Sequence, residues 1–410
     1  MRDAKLKILL LDQGRQSLPF VKALAHAGHQ VFIVCNTRIS EGYFSRYPAK
    51  RLIWPSYMKN PIAFEKKLLN FLRSNDIDVT LSVGDISSEI LSKNREEICK
   101  YTKLTVPEYS KFLEVSDKLI LMKFCMKNDI PCPITYGLDE HGNSEATREI
   151  GFPAIVKPRR GLGALGVQRM DSLENLEENL FSLNNKYGPL LIQEFIPQEA
   201  GTQYQAEAFL DLDSKMKVCM VIEKPRFFPV HGGTSTANVT VHKPEIVRTC
   251  KRLLEGIGWT GAADVDLILD PRDNVVKVLE INPRVTAGIK IGFAAGIDYA
   301  DLHLKLALGK SIPAIENYKL GIYCRNIFMD ILWYLFSSRS MKQTTKPSFF
   351  RFFGKNVIDQ TISLDDPLAG LGFFLNMTRK YLNINYLMEK LGTGKRGPST
   401  KSLKRHEVNY

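Results

Sequence analysis

Residues Ala263–Arg284 read ADVDLILDPRDNVVKVLEINPR. Two apolar runs, Val265–Leu269 and Val275–Ile281, flank a polar turn carrying Pro271, Asp273 and Asn274, which is the pattern of a β-hairpin. Oxygen-bearing side chains sit in both strands: Asp266 in the first, Glu280 and Asn282 at the end of the second. Alternate strand residues point to one face, so pairing in register brings these side chains together. Hard oxygen donors suit Mg²⁺, which takes one or two carboxylates and leaves its other positions to water and phosphate. The plain alternative is a surface hairpin with solvated acids. Against it, acids set inside apolar runs carry a burial cost that a partner must offset.

Upstream of the hairpin, Glu245–Leu254 has helical spacing, and Gln203–Asp211 and Lys217–Lys224 read as antiparallel strands with Lys224 and Arg226 at their end. Gly232–Ser235 reads as a flexible loop. Leu190–Ile196 is an apolar strand that leaves through Glu194, Phe195 and Ile196. Such an exit can offer an adenine ring one acceptor and one donor from adjacent backbone groups; an ordinary buried strand is the commoner case. Farther back, Ala154–Val156 is a strand ending in Lys157, followed by a turn with Gly161, Gly163 and Gly166. Amides freed of side chains can close over phosphate oxygens, with Lys157 adding positive charge, although most Gly-rich turns only join two strands. Ser116-Asp117-Lys118 opens a helical run, Leu119–Lys127.

The first hundred residues alternate strand and helix. Lys7–Asp12 is a strand, Leu18–Ala27 is helical until Gly28 stops it, and Gln30–Cys35 is a strand again. The order repeats less cleanly through Phe64–Arg73, Val79–Val83 and Ser87–Ile98, which implies an open parallel α/β sheet. Gly14 alone, after the first strand, is not the GxGxxG fingerprint, and GxxxxGK[ST] does not occur, so Rossmann and P-loop readings of this domain gain little support. Gly84 and Asp85, just past a strand end, stand where open sheets bind ligands, though a plain loop role is commoner there.

With 410 residues and 44% hydrophobic content, the chain has room for two or three domains with ordinary cores. Its net charge is +12, and from Ser337 to Tyr410 there are 13 basic against 5 acidic residues. A polyanion, an anionic membrane surface or solubility would each account for that excess, and charge does not choose among them. Seven scattered cysteines without CxxC or Cys/His zinc spacing fit reduced thiols. Ile8–Leu11 is too short for a signal peptide's core, and Ile327–Phe336, interrupted by Asp330, is too short to span a bilayer. The expected compartment is the cytoplasm, with peripheral membrane contact left open.

Five stretches carry a family resemblance: SDK at Ser116–Lys118, VKPRRGLGALGV at Val156–Val167, QEFI at Gln193–Ile196, TGAADVDL at Thr260–Leu267 and EINPR at Glu280–Arg284. In order and spacing they resemble the ATP-grasp superfamily, most closely its carbamoyl-phosphate-synthase-like and carboxylate–amine ligase branches. The resemblance implies an α/β plus α+β chain: an N-terminal open parallel α/β domain over 1–112 and an ATP-grasp domain of two α+β subdomains over 113–310, its lid at 120–193. An extension over 311–391 and a disordered basic tail over 392–410 would follow.

The same resemblance implies roles for single residues. Lys118 and Lys157 would bind ATP phosphates, with Gly161 and Gly163 in the mobile lid loop. Glu194, Phe195 and Ile196 would hold adenine, and Lys224 would belong to the nucleotide site. Gln203 stands where relatives often place a ribose-binding acid, and its amide can still hydrogen-bond hydroxyls; Glu207 falls where a structural acid is common. Asp266, Glu280 and Asn282 would hold Mg²⁺ or Mn²⁺, and Arg284, with Lys157, would steady the transferred phosphoryl group.

The implied activity is an ADP-forming ligase that phosphorylates a small-molecule carboxylate and couples the acyl phosphate to an amine, under a lid that excludes water. One alternative is carbamoyl-phosphate-synthase-like phosphorylation of carbamate or bicarbonate, against which stands the single ATP-grasp unit. Another is a non-catalytic, membrane-associated ATP-binding scaffold, which would need none of the metal ligands.

Beyond Gly309 the resemblance fades. SFFRFFGK at Ser348–Lys355 interleaves aromatics with cations, and SLDDPLAGLGFFLNMTRKY at Ser363–Tyr381 is a turn followed by an apolar segment. Three uses fit: a cap on the core, a membrane interface, or, least favoured, single-stranded nucleic acid. The DDP before an apolar helix resembles tails of ATP-grasp proteins similar to surface-polysaccharide tailoring enzymes, implying glycan-assembly contact and an amino acid substrate.

Overall fold

Five short parallel strands make the first layer: β1 (Lys7–Leu10), β2 (Gln30–Cys35), β3 (Lys50–Ile53), β4 (Val79–Leu81) and β5 (Lys103–Leu104), in the order β3-β2-β1-β4-β5. The computed structural model describes residues 5–139, 144–161, 165–198, 202–230 and 232–383. Gly163 and the 392–410 tail lie outside the described residues. Alternation along β1 feeds two cores. Ile8 and Leu10 pack with Val218, Met220 and Ile222, whereas Leu9 and Leu11 pack with Trp54, Phe64 and Leu68. The strand order reverses between β1 and β4, so a crevice opens at their carboxyl ends, beside Asp12 and Asp85. β3 escaped notice in the sequence because it is short, polar and largely exposed.

The second sheet is antiparallel: β6 (Thr135–Leu138), β7 (Ala154–Pro158), β8 (Gln168–Met170) and β9 (Leu190–Glu194), ordered β6-β9-β7-β8. Its cover helix, Leu173–Tyr187, begins where Ser172 accepts a bond from the Asn175 amide and ends at Gly188, whose φ of 75° suits glycine. Leu176, Leu180 and Leu183 are its buried stripe.

The third sheet has seven strands: β10 (Gln203–Leu210), β11 (Met216–Phe228), β12 (Thr234–Val241), β13 (Gly261–Asp270), β14 (Val275–Asn282), β15 (Tyr323–Arg325) and β16 (Val357–Asp359), in the order β14-β13-β10-β11-β12-β15-β16. The expected hairpin is β13–β14. The expected loop at Gly232–Ser235 needs correction, since Thr234 and Ser235 already pair with Phe228 and Phe227 as the start of β12. Pairing with a neighbour supplied what local composition argued against. Ser87–Ile98 divides at Asn94 into two helices, Asp85–Lys93 and Arg95–Ile98.

The sequence beyond Gly309 builds onto this sheet, with β15 antiparallel to β12 and β16 parallel to β15. Asp330, which interrupts an apolar run, is fully buried between Arg226 (2.7 Å) and Arg325 (2.7 Å). In SFFRFFGK, Phe349 stacks on Tyr334 at 4.3 Å, and Arg325 lies over Phe349 and Phe352. Helix Pro367–Tyr381 returns to the first domain. A Cβ on Gly372 would meet Ser40 O at 2.9 Å and the Phe44 ring at 2.8 Å, so glycine permits that approach. Among the described residues no helix is long and apolar enough to cross a membrane.

Candidate active site

Three adjacent strands set two polar rows on one face. β13 and β14 pair so that Asp266 faces Glu280 and Asp264 faces Asn282. β10 continues both rows, with Gln205 beside Asp266 and Glu207 beside Asp264. The alternate residues Ala206, Val265 and Ile281 join the apolar core on the other face.

Lysines from three other elements meet the first row. Lys224 Nζ of β11 lies 2.5 Å from Asp266 Oδ1. Lys118 Nζ lies 3.3 Å from Glu280 Oε2 and donates to the Gly161 carbonyl at 3.3 Å. Lys157, at the end of β7, is only 7% exposed. Burial pushes its ammonium down to about 8 against the pull of Glu280, and the like charge of Lys118 adds to the fall. Burial alone would raise the Glu280 carboxyl, but Lys118 and Lys157 outweigh it and hold the group below the ordinary carboxylate range.

Lys118 is positioned by its neighbour. Asp117 caps helix Lys118–Lys127, accepting from the amides of Leu119 (3.0 Å) and Ile120 (3.3 Å), and it also binds Arg159 Nη2 at 2.6 Å. Arg160, next in the Gly-rich stretch, reaches Glu89 on helix Asp85–Lys93 at 2.6 Å. The SDK and VKPRR stretches are therefore one structural unit.

The second row centres on Arg284. Its guanidinium binds Asp264 Oδ2 at 2.5 Å and Asp85 Oδ2 at 3.0 Å. Although burial works to lower it, Asp85 and Asp264 hold the guanidinium firmly protonated. Glu207 accepts from Gln205 Nε2 (2.6 Å) and the Thr286 amide (3.0 Å), and burial followed by the Asp264 charge raises its carboxyl well above the ordinary range. Burial and Asp266 push Asp264 up to about 7, and its Oδ1 is buried without a hydrogen-bond partner.

Lys118, Lys157, Lys224, Asp266, Glu280, Asn282 and Arg284 therefore converge. The residues expected around adenine and ribose have other partners. Glu194 directs its side chain to Arg272 at 2.5 Å, and its own amide donates to the Ile134 carbonyl. Phe195 lies under Arg169 at 4.5 Å, Ile196 is buried, and Gln203 donates to Gln198 at 3.0 Å. Sequence reasoning passed over Asp264, although strand alternation from Asp266 marks it. It left Asp85 undecided because a contact spanning the first and third sheets has no local signal.

Two carboxylates and an amide oxygen make a hard donor set of the kind Mg²⁺ accepts. Asn282 Nδ2 contacts both Asp264 (3.3 Å) and Asp266 (3.5 Å), so its carboxamide stands within the acid row. Among the described residues no cluster of three His, Cys, Asp or Glu side chains is placed to hold a metal.

Residues 115–288 match the family model described as ATP-grasp domain, and this part of the chain is an ATP-grasp domain. The chain is 27% identical over 253 residues to the D-aspartate ligase of Enterococcus faecium (strain Aus0004), covering 56% of this chain and 59% of the relative. It is 25% identical over 266 residues to the carbamoyl phosphate synthase large chain, C-terminal section, of Methanopyrus kandleri, covering 62% and 48%. The chain thus spans about half to three-fifths of the length of these curated relatives. A biotin carboxylase–β,γ-ATP complex from Campylobacter jejuni shares the fold, with a TM-score of 0.65 at 15% identity over 78% of this chain and 74% of that one.

Proposed function

We propose that the chain is an ADP-forming ligase that uses ATP and Mg²⁺ to activate a carboxylate as an acyl phosphate and couples it to an amine. The observation that carries this is the meeting of Lys118, Lys157 and Lys224 with Asp266 and Glu280 on one sheet face, within an ATP-grasp domain. Lysine ammonium groups act as compact point charges for phosphate oxygens. Lys118 and Lys157 serve the phosphates, and Lys224 completes the nucleotide site. The end of β9 offers its backbone and the Ile196 side chain to adenine, and Gln203 faces ribose. Asp266, Glu280 and Asn282 hold the metal, which when bound neutralises charge on the phosphate oxygens. Arg284 orients the acyl phosphate, and the Arg159–Gly166 stretch excludes water from it.

The proposed division runs 1–112, 113–310 and 311–391, with the lid at 120–193. The D-aspartate ligase relative favours an amino acid as the acid partner. Support for a glycan-borne amine comes from the tail's resemblance alone. Seven free cysteines fit a reducing compartment, the cytoplasm. The carbamoyl phosphate synthase relative favours a second reading, phosphorylation of carbamate or bicarbonate at the same site. Hydroxylamine decides between them. With ATP, Mg²⁺ and the correct amino acid, it should trap the acyl phosphate as a hydroxamate; phosphate release that depends on bicarbonate and leaves no hydroxamate would favour the second.

A further inference from the structure

We propose that helices Ile327–Phe336 and Pro367–Tyr381 together form a docking face for an anionic lipid surface. The inference does not rest on the ligase reading. Both helices bury one side normally, through Met329 and Trp333 in the first and Ala369, Gly372 and Phe373 in the second. Their other sides are apolar as well. Leu335, Phe336, Leu371, Phe374, Leu375 and Leu382 are 41–75% exposed. Leu371, Phe374/Leu375 and Leu382 recur at helical spacing and so form a row along the helix. Phe328 joins the helices, its ring 5.9 Å from Phe374 and 5.8 Å from Tyr381. An apolar surface of this kind on a folded chain marks a partner.

Charge identifies the partner. Arg339 and Lys342 follow the first helix, and Arg379 and Lys380 occupy the last turn of the second. The acids of this region are already paired: Asp330 with Arg226 and Asp366 with Ser45 (2.5 Å) in the interior, and Asp365 with Lys22 (2.5 Å) at the surface. The sequence beyond the described residues, 384–410, contains six cations against two acids. A second copy of the chain would set cation against cation. In SFFRFFGK, Phe349 and Phe352 pack against Tyr334 and Arg325 while Phe350 and Phe353 are exposed, so single-stranded nucleic acid is kept as an outcome of the test. Exposed leucines beside cations suit acyl chains beneath anionic headgroups, and a 15-residue helix lies in that interface rather than crossing it.

The test is co-sedimentation of the full chain with vesicles of phosphatidylglycerol and phosphatidylcholine, against phosphatidylcholine alone. Binding should favour the anionic vesicles by roughly tenfold or more and weaken with salt. Leu371→Glu with Phe374→Glu should cut it by roughly tenfold or more, with circular dichroism unchanged. Because Phe374 also touches Phe328, a second variant keeps the apolar row: Arg379→Gln with Lys380→Gln should lower binding roughly fivefold per charge. Equal binding to both vesicles, or variants that bind like the parent, would overturn the proposal. So would a dimer dispersed by the same substitutions in sedimentation velocity, or preferential capture by single-stranded RNA. Vesicle binding is read without turnover, so it stands or falls apart from ligase activity.

Discussion

Arg284 Nε lies 3.0 Å from Asp85 Oδ2, a contact across 199 positions of sequence that joins the carboxyl end of β4 to the loop after β14. Asp264 holds the same guanidinium from the other side at 2.5 Å. The proposed catalytic cation is thus fixed by one acid from the first sheet and one from the third. Its position depends on how those two sheets are docked.

Asp85→Asn removes one of the two charges that orient Arg284. We expect kcat/KM for ATP-dependent turnover to fall roughly 100-fold, the scale of loss when a reacting group is misplaced by about 1 Å. Asp85→Glu should recover part of it. Steady-state ADP release on the three proteins checks this; an unaltered Asp85→Asn enzyme would leave the contact purely structural.

Glu280→Gln removes the carboxylate that Lys118 contacts and Lys157 feels. Turnover should disappear while circular dichroism stays that of the parent. Full activity in this variant would exclude the hairpin from the chemistry.

Acid sensitivity should trace partly to His303. It is buried, its Nδ1 lies 2.7 Å from the Tyr299 carbonyl, and its ring meets Phe20 and Phe209 edge-on. Burial pushes its imidazole down from 6.5 to about 4. Between those values the unfolded chain binds the proton and the folded chain does not, so stability is lost as pH falls from 6.5 and the loss reaches about 3 kcal/mol near pH 4. Urea midpoints measured across pH 4–7 should fall less steeply for His303→Gln than for the parent.

Asp330→Ala should be severe, because it strands Arg226 and Arg325 without their carboxylate in the core. Breaking a buried ion pair from one side costs about 3–5 kcal/mol. Thermal melting checks it, and a change below about 1 kcal/mol would contradict the buried network.

What the sequence revealed was local. The β13–β14 hairpin followed from two apolar runs around a turn, and Asp266 and Glu280 did face each other. The Lys118 and Lys157 stretches were recognisable from short motifs, and they meet through Asp117 and Arg159. What escaped was created by pairing between distant segments. Thr234 and Ser235 are strand because β11 lies beside them, although glycines precede them. Asp330 looked like an interruption until Arg226, 104 residues away, supplied its counter-ion. Likewise Asp264 acquires its place from Arg284 and from Glu207 on the neighbouring strand.

The most direct measurement is ADP and phosphate release by the purified chain with ATP and Mg²⁺ across matched pools of amino acids and amines. The ligase account requires ADP and phosphate in equal amounts, released only when both an acid and an amine are present. AMP and pyrophosphate as products, or no ATP binding by calorimetry in any pool, would contradict it.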